Sequence, residues 1–368
     1  MSAIRHVDVF GYRLTYVYGD YVMSGGRVVR ELESTVVRVT TEDGVEGFGE
    51  VCPLGPRYLA AHAEGARAAL RELAPTLVGV AVENLAAVNR ALDGALAGHA
   101  YAKSAVDVAC WDAFGKTVGL PVHELLGGVL SERFPLYFAV PLGSAEEMAD
   151  FVSQRRDEGV HRFQLKVGAE PLADVERARR IVEQTGDEDV VVADANGGWA
   201  LQDAVVAARG LEDLPRVFLE QPCATLEECL IVRSRSTLPF VLDESIYDVH
   251  SLLRAYEAKA MEAINLKISK VGGLSASRRI RDLAQSLGLR LTIEDTWGGD
   301  LVTAAVAHLA ASTRPETLFT VSFMNDWTNE HIAGYQPRSE GGYGGPSEGP
   351  GLGVEVDVGA LGQPLFHI

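Results

Sequence analysis

Three acidic residues stand at the ends of three successive short apolar runs of this 368-residue chain. Asp194 ends the run Val-Val-Val-Ala-Asp, Glu220 ends Val-Phe-Leu-Glu, and Asp243 ends Phe-Val-Leu-Asp. Lys166 ends the run before them, and Lys267 ends the run after them. Carboxylates that are brought together repel one another unless a cation lies between them. The order Lys, Asp, Glu, Asp, Lys therefore predicts a metal site flanked by two amines.

The ligand types indicate which metal this site would hold. Oxygen ligands select a hard cation, so we expect Mg²⁺ first and Mn²⁺ second, whereas zinc more often takes histidine or cysteine. Asn196, two residues after Asp194, could support the ligands from outside. A single acid after a strand is more often a helix cap, and Asp243 before Glu244 could be one. Three such acids at consecutive strand ends are hard to explain in that way.

The two lysines suggest proton transfer at a carbon atom next to a carboxylate. A lysine at a strand end is often only solvated or paired with an acid. A nearby dication and partial desolvation would lower the pKa of each lysine, so that a neutral amine is available as a base. The metal would stabilise an enolate, Lys166 or Lys267 would take the proton, and the other lysine would deliver a proton from the opposite face.

The elements that must position these residues are short strands that alternate with helices. Such alternation predicts parallel strands, and eight of them predict an α/β fold, a modified (β/α)8 TIM barrel, in which all strand ends point into one mouth. The alternative is an open doubly wound sheet, but no GxGxxG motif follows the first strand. The predicted strands cover residues 135–140, 162–167, 190–194, 217–220, 240–243, 263–268, 289–294 and 318–323.

The first 125 or so residues predict a different, α+β unit. Strand patterns near its start and a Glu-Asp-Gly turn at residues 42–44 indicate an antiparallel hairpin. Glycine-rich loops at residues 18–26 and 52–58 could cover the barrel mouth as lids. We therefore expect a capping domain at 1–128, a barrel at 129–334, and a C-terminal segment at 335–368 that returns to the capping domain.

Composition excludes several classes of function. A formal net charge of −18 argues against nucleic acid and anionic membrane surfaces. No apolar run reaches the roughly 18 residues of a membrane span, and no signal peptide is evident. The four cysteines form no CxxC pair, which favours a reduced, cytoplasmic setting. The expected partners are a small carboxylate substrate and further copies of the same chain.

With these motifs in place, the chain resembles the enolase superfamily, in the branch of muconate-cycloisomerase-like enzymes. That resemblance implies a capping domain on a modified barrel, three carboxylate ligands for Mg²⁺, and the two lysines as an acid–base pair acting through an enolate. The motifs that carry it are Gln164-Leu-Lys166, Asp194-Ala-Asn196, Glu220-Gln-Pro222, Asp243-Glu-Ser245, Lys267-Ile-Ser-Lys-Val-Gly-Gly273 and the Leu-Leu-Gly-Gly of residues 125–128.

One departure from the family pattern concerns the substrate. The family usually has Lys-x-Lys on the second strand, whereas this chain has Gln164 before Lys166. A substrate that carries its own cation would need one fewer cation in the pocket. Trp297 could stack on an ammonium group and Asp295 could pair with it. The alternatives are that Trp297 only packs the barrel top and that Asp295 caps the next helix.

These features suggest members of the family that act on proline derivatives. Gln164, Trp297 and the loops at residues 24–27 and 55–58, with Tyr58 as a further substrate contact, resemble hydroxyproline-betaine epimerases and cis-3-hydroxyproline dehydratases. The resemblance implies a two-lysine racemase or epimerase of a proline-type amino acid or betaine. A dehydratase of cis-3-hydroxy-L-proline is the alternative, and an inactive metal-binding barrel is a remote third.

Overall fold

The structure, a computed structural model, describes residues 2–23 and 27–368, apart from the side chain of Arg27. The N-terminal part contains β1 (Ile4–Thr15), β2 (Tyr21–Met23), β3 (Arg27–Val29), β4 (Glu31–Thr41), β5 (Glu46–Val51), α1 (Ala63–Leu73), α2 (Leu85–Ala95), α3 (Ala100–Val118) and α4 (Val122–Leu125). It is followed by β6 (Phe134–Pro135), β7 (Phe138–Val140), α5 (Ala145–Asp157), β8 (Arg162–Lys166), α6 (Pro171–Val182), β9 (Val190–Asp194), α7 (Leu201–Leu211), β10 (Val217–Glu220), α8 (Leu226–Arg233), β11 (Phe240–Leu242), α9 (Val249–Glu257), β12 (Ala263–Lys267), α10 (Ile268–Val271), α11 (Leu274–Ser286), β13 (Arg290–Glu294), α12 (Asp300–Ala311), β14 (Leu318–Val321), β15 (Tyr343–Gly344), α13 (Val358–Leu361) and β16 (Phe366–His367).

The N-terminal part is an antiparallel sheet with helices packed on one face. Its strand order is β16-β1-β4-β5, so the last strand of the chain pairs with the first long one. Strand β5 lies directly on the buried helix α3, because Gly47 and Gly49 have no side chain to separate them. A Cβ atom at Gly49 would lie 2.1 Å from the carbonyl oxygen of Ala105. This contact fixes the sheet, and the loops that follow it, against the helices.

The second unit is a parallel barrel. Strands β7 to β14 are neighbours in chain order, and helices α5 to α12 connect them. A parallel bridge between Leu136 and Val321, with the Tyr137 N–H donating to the Val321 oxygen at 2.8 Å, joins the first strand to the last. After β14 the chain forms a 3₁₀ turn at Met324–Trp327. Val192, Val241, Ala263 and Phe319 form a buried apolar cluster on the inner faces of the strands, so the barrel interior is a packed core.

The predicted fold class is confirmed, since all eight predicted strands are present. Seven of them lie within two residues of their expected ends, and the first begins three residues later than predicted, at Phe138. Part of the predicted glycine-rich loop at 18–26 is a strand, because β2 pairs antiparallel with β3. Helix α2 was not predicted. The predicted substrate loop at 24–27 falls on residues 24–26, outside the described residues, and on Arg27, whose side chain is also outside them. The domain boundaries at 128 and 334 stay a prediction.

None of the helices in the described part of the chain combines the length and the apolar character that crossing a bilayer requires.

Candidate active site

The register of the barrel strands collects the charged residues at one mouth. Lys166 at the end of β8 is in register with Asp194 at the end of β9, and Asp194 is in register with Glu220 at the end of β10. Asp243 follows the last residue of β11, and Lys267 ends β12. All five side chains are buried. Because the carboxyl ends of parallel strands meet at the same edge, residues that are far apart in sequence become neighbours.

Asp194 is held by a lysine on one side and an asparagine on the other. The Lys166 ammonium group donates to Asp194 Oδ2 at 2.5 Å. The backbone N–H and side-chain amide of Asn196 donate to the two Asp194 oxygens at 2.8 and 2.9 Å. Asn196 has a φ of 45°, the left-handed region that asparagine tolerates better than most residues. The structure therefore brings the predicted supporting residue into contact with the predicted ligand.

Asp243 is held by two lysines and a tyrosine. Lys267 and Lys270 each donate to one of its oxygens, Lys270 at 2.6 Å. The Tyr58 hydroxyl, from the loop of the capping unit, donates to Asp243 Oδ2 at 3.0 Å and accepts from the Lys267 ammonium group at 2.7 Å. Burial alone would raise the pKa of Asp243, but Lys267 and Lys270 lower it well below its usual range. Asp243 is thus a carboxylate at neutral pH.

Among the described residues, Glu220 has amide partners but no ammonium partner. The side-chain amides of Gln164 and Asn265 donate to its two oxygens at 3.0 and 2.9 Å. Burial first, and then the nearby carboxylates of Asp194 and Asp243, raise the pKa of Glu220 to about 8. Three carboxyl groups therefore lie close together between the strand ends, where a cation would relieve their mutual repulsion.

The chemistry of these donors fits a hard divalent cation. The three side chains offer only carboxylate oxygens, the ligands that Mg²⁺ and Mn²⁺ prefer. Nearby, Asn265 Oδ1 and Glu244 Oε2 are buried without a hydrogen-bond partner among the described residues. In this structure the three sets of carboxylate oxygens do not all lie within 4.8 Å of one another. Two of the three carboxylates form ion pairs with lysine ammonium groups, Asp194 with Lys166 and Asp243 with Lys267 and Lys270.

Burial and the neighbouring carboxylates act on the pKa of the two lysines in opposite directions. Burial would lower the pKa of Lys166, but the Asp194 carboxylate outweighs it and raises that pKa well above its usual range. For Lys267, burial likewise lowers the pKa and the Asp243 carboxylate raises it, and the net result is a raised pKa. Both amines are therefore ammonium groups in this arrangement. The lowered pKa that the sequence predicts for the lysines requires a bound dication, because the carboxylates would then bind the metal in place of the ammonium groups.

A cavity of about 480 Å³, part of it open to solvent, lies above these residues. Both lysines reach it, and aromatic side chains from the capping unit and the barrel form its walls. Trp297 is buried against the ring edges of Tyr16 and Tyr21, and its indole N–H has no hydrogen-bond partner among the described residues. Its lining residues include Tyr21, Tyr58, Tyr137, Gln164, Lys166, Lys267, Glu294, Asp295, Trp297 and Trp327.

The predicted substrate-binding residues all reach this cavity, but three of them, Tyr58, Gln164 and Asp295, form hydrogen bonds with protein groups. Gln164 bridges Lys166 and Glu220, since its oxygen accepts from Lys166 at 2.8 Å and its amide donates to Glu220. Asp295 accepts hydrogen bonds from the Ser269 N–H at 3.0 Å, from the Ser269 hydroxyl, and from the Thr296 N–H at 2.7 Å. Asp295 therefore ties β13 to the start of α10.

The sequence analysis missed three residues of the site. Glu294 ends β13, just as Asp194 and Glu220 end their strands, so its position in the sequence could have identified it as a residue of the barrel mouth. Asn265 lies two residues before Lys267, so the alternation of a strand places both on the inner face. Gln221, with a φ of 35°, accepts from the Asp243 N–H at 3.2 Å and donates to the Ser245 hydroxyl at 2.7 Å. It joins the ends of β10 and β11.

Another group of potential metal ligands lies at the opposite end of the barrel. His161, Glu188 and Asp189 precede β8 and β9, and their ligand atoms lie within 4.8 Å of one another. Arg156 forms an ion pair with Asp189 at 2.6 Å, and His161 bonds to the same carboxylate at 2.6 Å. These protein groups already neutralise Asp189, so we assign the cluster a structural role.

Comparison with protein families covers nearly the whole chain. Residues 21–127 match the family described as "Mandelate racemase / muconate lactonizing enzyme, N-terminal domain", and residues 147–360 match "Enolase C-terminal domain-like". Among solved structures, the mandelate racemase/muconate lactonizing enzyme from Roseovarius nubinhibens ISM superposes with a TM-score of 0.96 at 36% identity, covering 100% of this chain and 99% of that one. A member of the enolase superfamily from the same organism, complexed with magnesium, gives 0.94 at 33% identity with both chains fully covered.

Curated relatives carry out several related reactions. The chain is 42% identical over 362 residues to cis-3-hydroxy-L-proline dehydratase from Roseibium aggregatum, with 98% of each chain covered. It is 34% identical to muconate cycloisomerase 1 from Pseudomonas putida, with 88% of each covered. It is 26% identical to N-succinyl-L-Arg/Lys racemase from Bacillus cereus, with 97% and 96% covered. The protein is therefore an enzyme, an isomerase or a lyase, and it belongs to the enolase superfamily, in its muconate-lactonizing-enzyme-like branch.

Proposed function

We propose that this enzyme is a Mg²⁺-dependent dehydratase of cis-3-hydroxy-L-proline or a closely similar hydroxy amino acid. The observation that carries the proposal is the position of the two lysines. Lys166 ends β8 and Lys267 ends β12, four strands apart in a ring of eight, and both line the cavity. A substrate between them has an amine on each face. The 42% identity to a dehydratase of this substrate supports the choice.

The stereochemistry of the substrate matches two amines on opposite faces. In cis-3-hydroxyproline the α-hydrogen and the hydroxyl group project from opposite faces of the ring. One lysine, as a neutral amine, takes the α-proton. The other, as an ammonium group, gives its proton to the departing hydroxyl, so water leaves and a C2–C3 double bond forms. The resulting enamine tautomerises to a pyrroline carboxylate.

Asp194, Glu220 and Asp243 would hold the metal, with Mg²⁺ preferred and Mn²⁺ possible. When bound, the cation supplies positive charge against the negative charge that develops on the substrate carboxylate as the proton leaves. Asn196 orients Asp194 through two hydrogen bonds. Gln164 holds Lys166 on one side and Glu220 on the other. These contacts fix the acids and the amine relative to each other.

The second candidate is a racemase or epimerase of a proline-type amino acid or betaine. The same pair of lysines favours it, because inversion also needs an acid–base group on each face, and racemases and epimerases occur among the relatives. A small carboxylate substrate, assembly as a homo-oligomer and a reduced, cytoplasmic setting belong to this proposal as well. The four cysteines are free and buried, which agrees with a reduced setting.

One NMR experiment separates the candidates. Purified enzyme with Mg²⁺ in D₂O is incubated with cis-3-hydroxy-L-proline, L-proline and proline betaine, and the α-proton and product signals are followed. We expect a pyrroline product from the hydroxyproline. Formation of the opposite α-epimer without any pyrroline would favour the epimerase. Loss of neither α-proton nor hydroxyl from any of these compounds would refute both.

A further inference from the structure

The cavity has a buried carboxyl that the proposed chemistry does not use. Glu294 is 3% exposed, ends β13 in register with Lys267, and lines the cavity beside both lysines. It is not one of the three carboxylates at the ends of β9 to β11. A buried carboxyl in an enzyme cavity is costly unless a cation or several donors compensate it. What compensates Glu294 therefore bears on what the cavity binds.

The protein compensates Glu294 only in part. The Asn265 side-chain amide donates to Glu294 Oε1 at 2.8 Å. The nearest ammonium group, that of Lys267, lies 3.4 Å from the same oxygen, and it is bonded more closely to Asp243 and Tyr58. Among the described residues no donor is bonded to Oε2. Burial and then the neighbouring Asp295 raise the pKa of Glu294 well above its usual range. The carboxyl lacks a cation of its own.

Asp295, which the sequence analysis selected as the partner of a substrate cation, has its oxygens engaged. Both accept hydrogen bonds from Ser269 or Thr296. The two consecutive side chains differ because neighbouring residues at the end of a strand point in opposite directions. Glu294 points toward the lysines, whereas Asp295 points toward the first turn of α10.

We propose that Glu294 binds the ring ammonium group of the substrate and so selects a cyclic amino acid over an uncharged ring carboxylate. This inference rests on the proposed function and names the residue that determines its specificity. Asn265 fixes the Glu294 carboxyl, since one amide group donates to both Glu294 and Glu220. The substrate amine would then lie at a set distance from the substrate carboxylate, which the metal held by Asp194, Glu220 and Asp243 would bind. Tyr21 and Trp297 pack edge to face and line the same cavity.

The test compares two ligands that differ in one ring atom. L-Proline carries a ring ammonium group, and (S)-tetrahydrofuran-2-carboxylate has an ether oxygen in its place. Dissociation constants are measured by titration calorimetry in the presence of Mg²⁺ for the wild type, Glu294→Gln and Asp295→Asn. Glutamine keeps the size of the side chain and can still accept from Asn265. Glu294→Met, of similar volume, serves the same purpose if the glutamine variant does not fold.

We expect Glu294→Gln to weaken L-proline binding by about 30-fold or more, the usual effect of truncating one partner of a buried charge pair. Binding of the ether should change by less than about 3-fold. Asp295→Asn should leave the ratio of the two constants near the wild-type value. If Glu294 only oriented Lys267, its replacement would change the binding of both ligands equally. An unchanged ratio of the two dissociation constants in Glu294→Gln therefore overturns the inference.

Failure of the proposed function gives a different result. A wild type that dehydrates cis-3-hydroxy-L-proline, with a Glu294→Gln variant that keeps its preference for proline, overturns the inference and leaves the function in place. A wild type that neither binds L-proline nor acts on any proline derivative overturns both. Loss of the preference in Asp295→Asn but not in Glu294→Gln would assign the ammonium site to Asp295 instead.

Discussion

The hydroxyl group of Tyr58 accepts a hydrogen bond from the Lys267 ammonium group at 2.7 Å. Tyr58 belongs to the loop after β5 in the capping unit, whereas Lys267 ends a barrel strand. The capping loop thus contacts a proposed acid–base group directly. We expect Tyr58→Phe to slow α-hydrogen exchange from the face served by Lys267 by about 10-fold, while exchange from the other face changes by less than about 3-fold.

Deuterium incorporation into each enantiomer of proline measures the two faces separately. Tyr137→Phe is the matched control, because Tyr137 lines the same cavity without bonding to either lysine among the described residues. Equal losses on both faces in Tyr58→Phe would mean that the tyrosine positions the whole lid rather than Lys267.

Removal of the metal or of one ligand should stop turnover without unfolding the protein. Asp194→Asn, Glu220→Gln and Asp243→Asn should each weaken Mg²⁺ binding and reduce turnover by about 10²-fold or more, because the developing charge loses its counter-ion. Calorimetric titration with Mg²⁺ and circular dichroism measure the two effects. Asp187→Asn, at an exposed carboxylate, is the control. Full activity of any ligand variant in chelator-treated buffer would exclude that residue as a ligand.

The lysine pair predicts different partial reactions for the two single variants. Lys166→Ala and Lys267→Ala should each reduce dehydration by about 10³-fold. The variant that keeps the base should still exchange the α-hydrogen of one stereoisomer with solvent, and the variant that lacks the base should exchange neither proton nor hydroxyl. An epimerase would instead lose inversion in both variants and keep exchange of one isomer in each. Interconversion of isomers at the wild-type rate by either variant would refute the mechanism.

Two glycine substitutions should change stability in opposite directions. Alanine at Gly49 would place its Cβ atom 2.1 Å from the Ala105 oxygen and 2.7 Å from the Ala109 nitrogen, so β5 and α3 would have to separate. We expect Gly49→Ala to lower the free energy of unfolding by about 3 kcal/mol. Gly94→Ala, in α2 with no atom within 4 Å, should raise it by about 0.5–1 kcal/mol. Urea denaturation measures both, and a neutral Gly49→Ala would disprove the close packing.

A buried histidine pair should make the fold sensitive to acid. His308 contacts His123 at 2.9 Å, and burial lowers the pKa of His308 to about 3, against about 6.5 in an unfolded chain. Between these values only the unfolded chain binds the proton, so the free energy of unfolding falls as the pH falls below about 6.5. At about pH 5 this one group accounts for about 2 kcal/mol.

The measurement is the difference in free energy of unfolding between pH 7 and about pH 5. His308→Gln should reduce that difference by about 2 kcal/mol, because the variant has no proton to bind at this position. His250→Gln, at an exposed histidine, should leave the difference at the wild-type value. If His308→Gln is as acid-sensitive as the wild type, the lowered pKa is not the cause.

The sequence by itself determined the barrel and the charged residues of its mouth. Strand-length apolar runs that alternate with helical patterns have few solutions other than a parallel sheet. Once that sheet closes, every residue at the carboxyl end of a strand faces the same mouth. Lys166, Asp194, Glu220 and Lys267 could therefore be grouped from their positions alone. The family motifs around them added the expected metal and reaction.

Only the tertiary structure decided which neighbours these residues have. Tyr58 reaches Lys267 across 209 positions because the capping unit packs on the barrel, with Glu50 accepting from the Gly299 N–H at 2.9 Å and Tyr101 bonded to Thr296 at 2.6 Å, a fit that no local pattern encodes. The different partners of Glu294 and Asp295 likewise depend on the direction in which each side chain points. Both are acids at one strand end, but the last residue of the strand faces inward and the next one meets the N–H group of Ser269. Composition and spacing do not carry that information, because side-chain direction and close packing depend on contacts that form only in the folded chain.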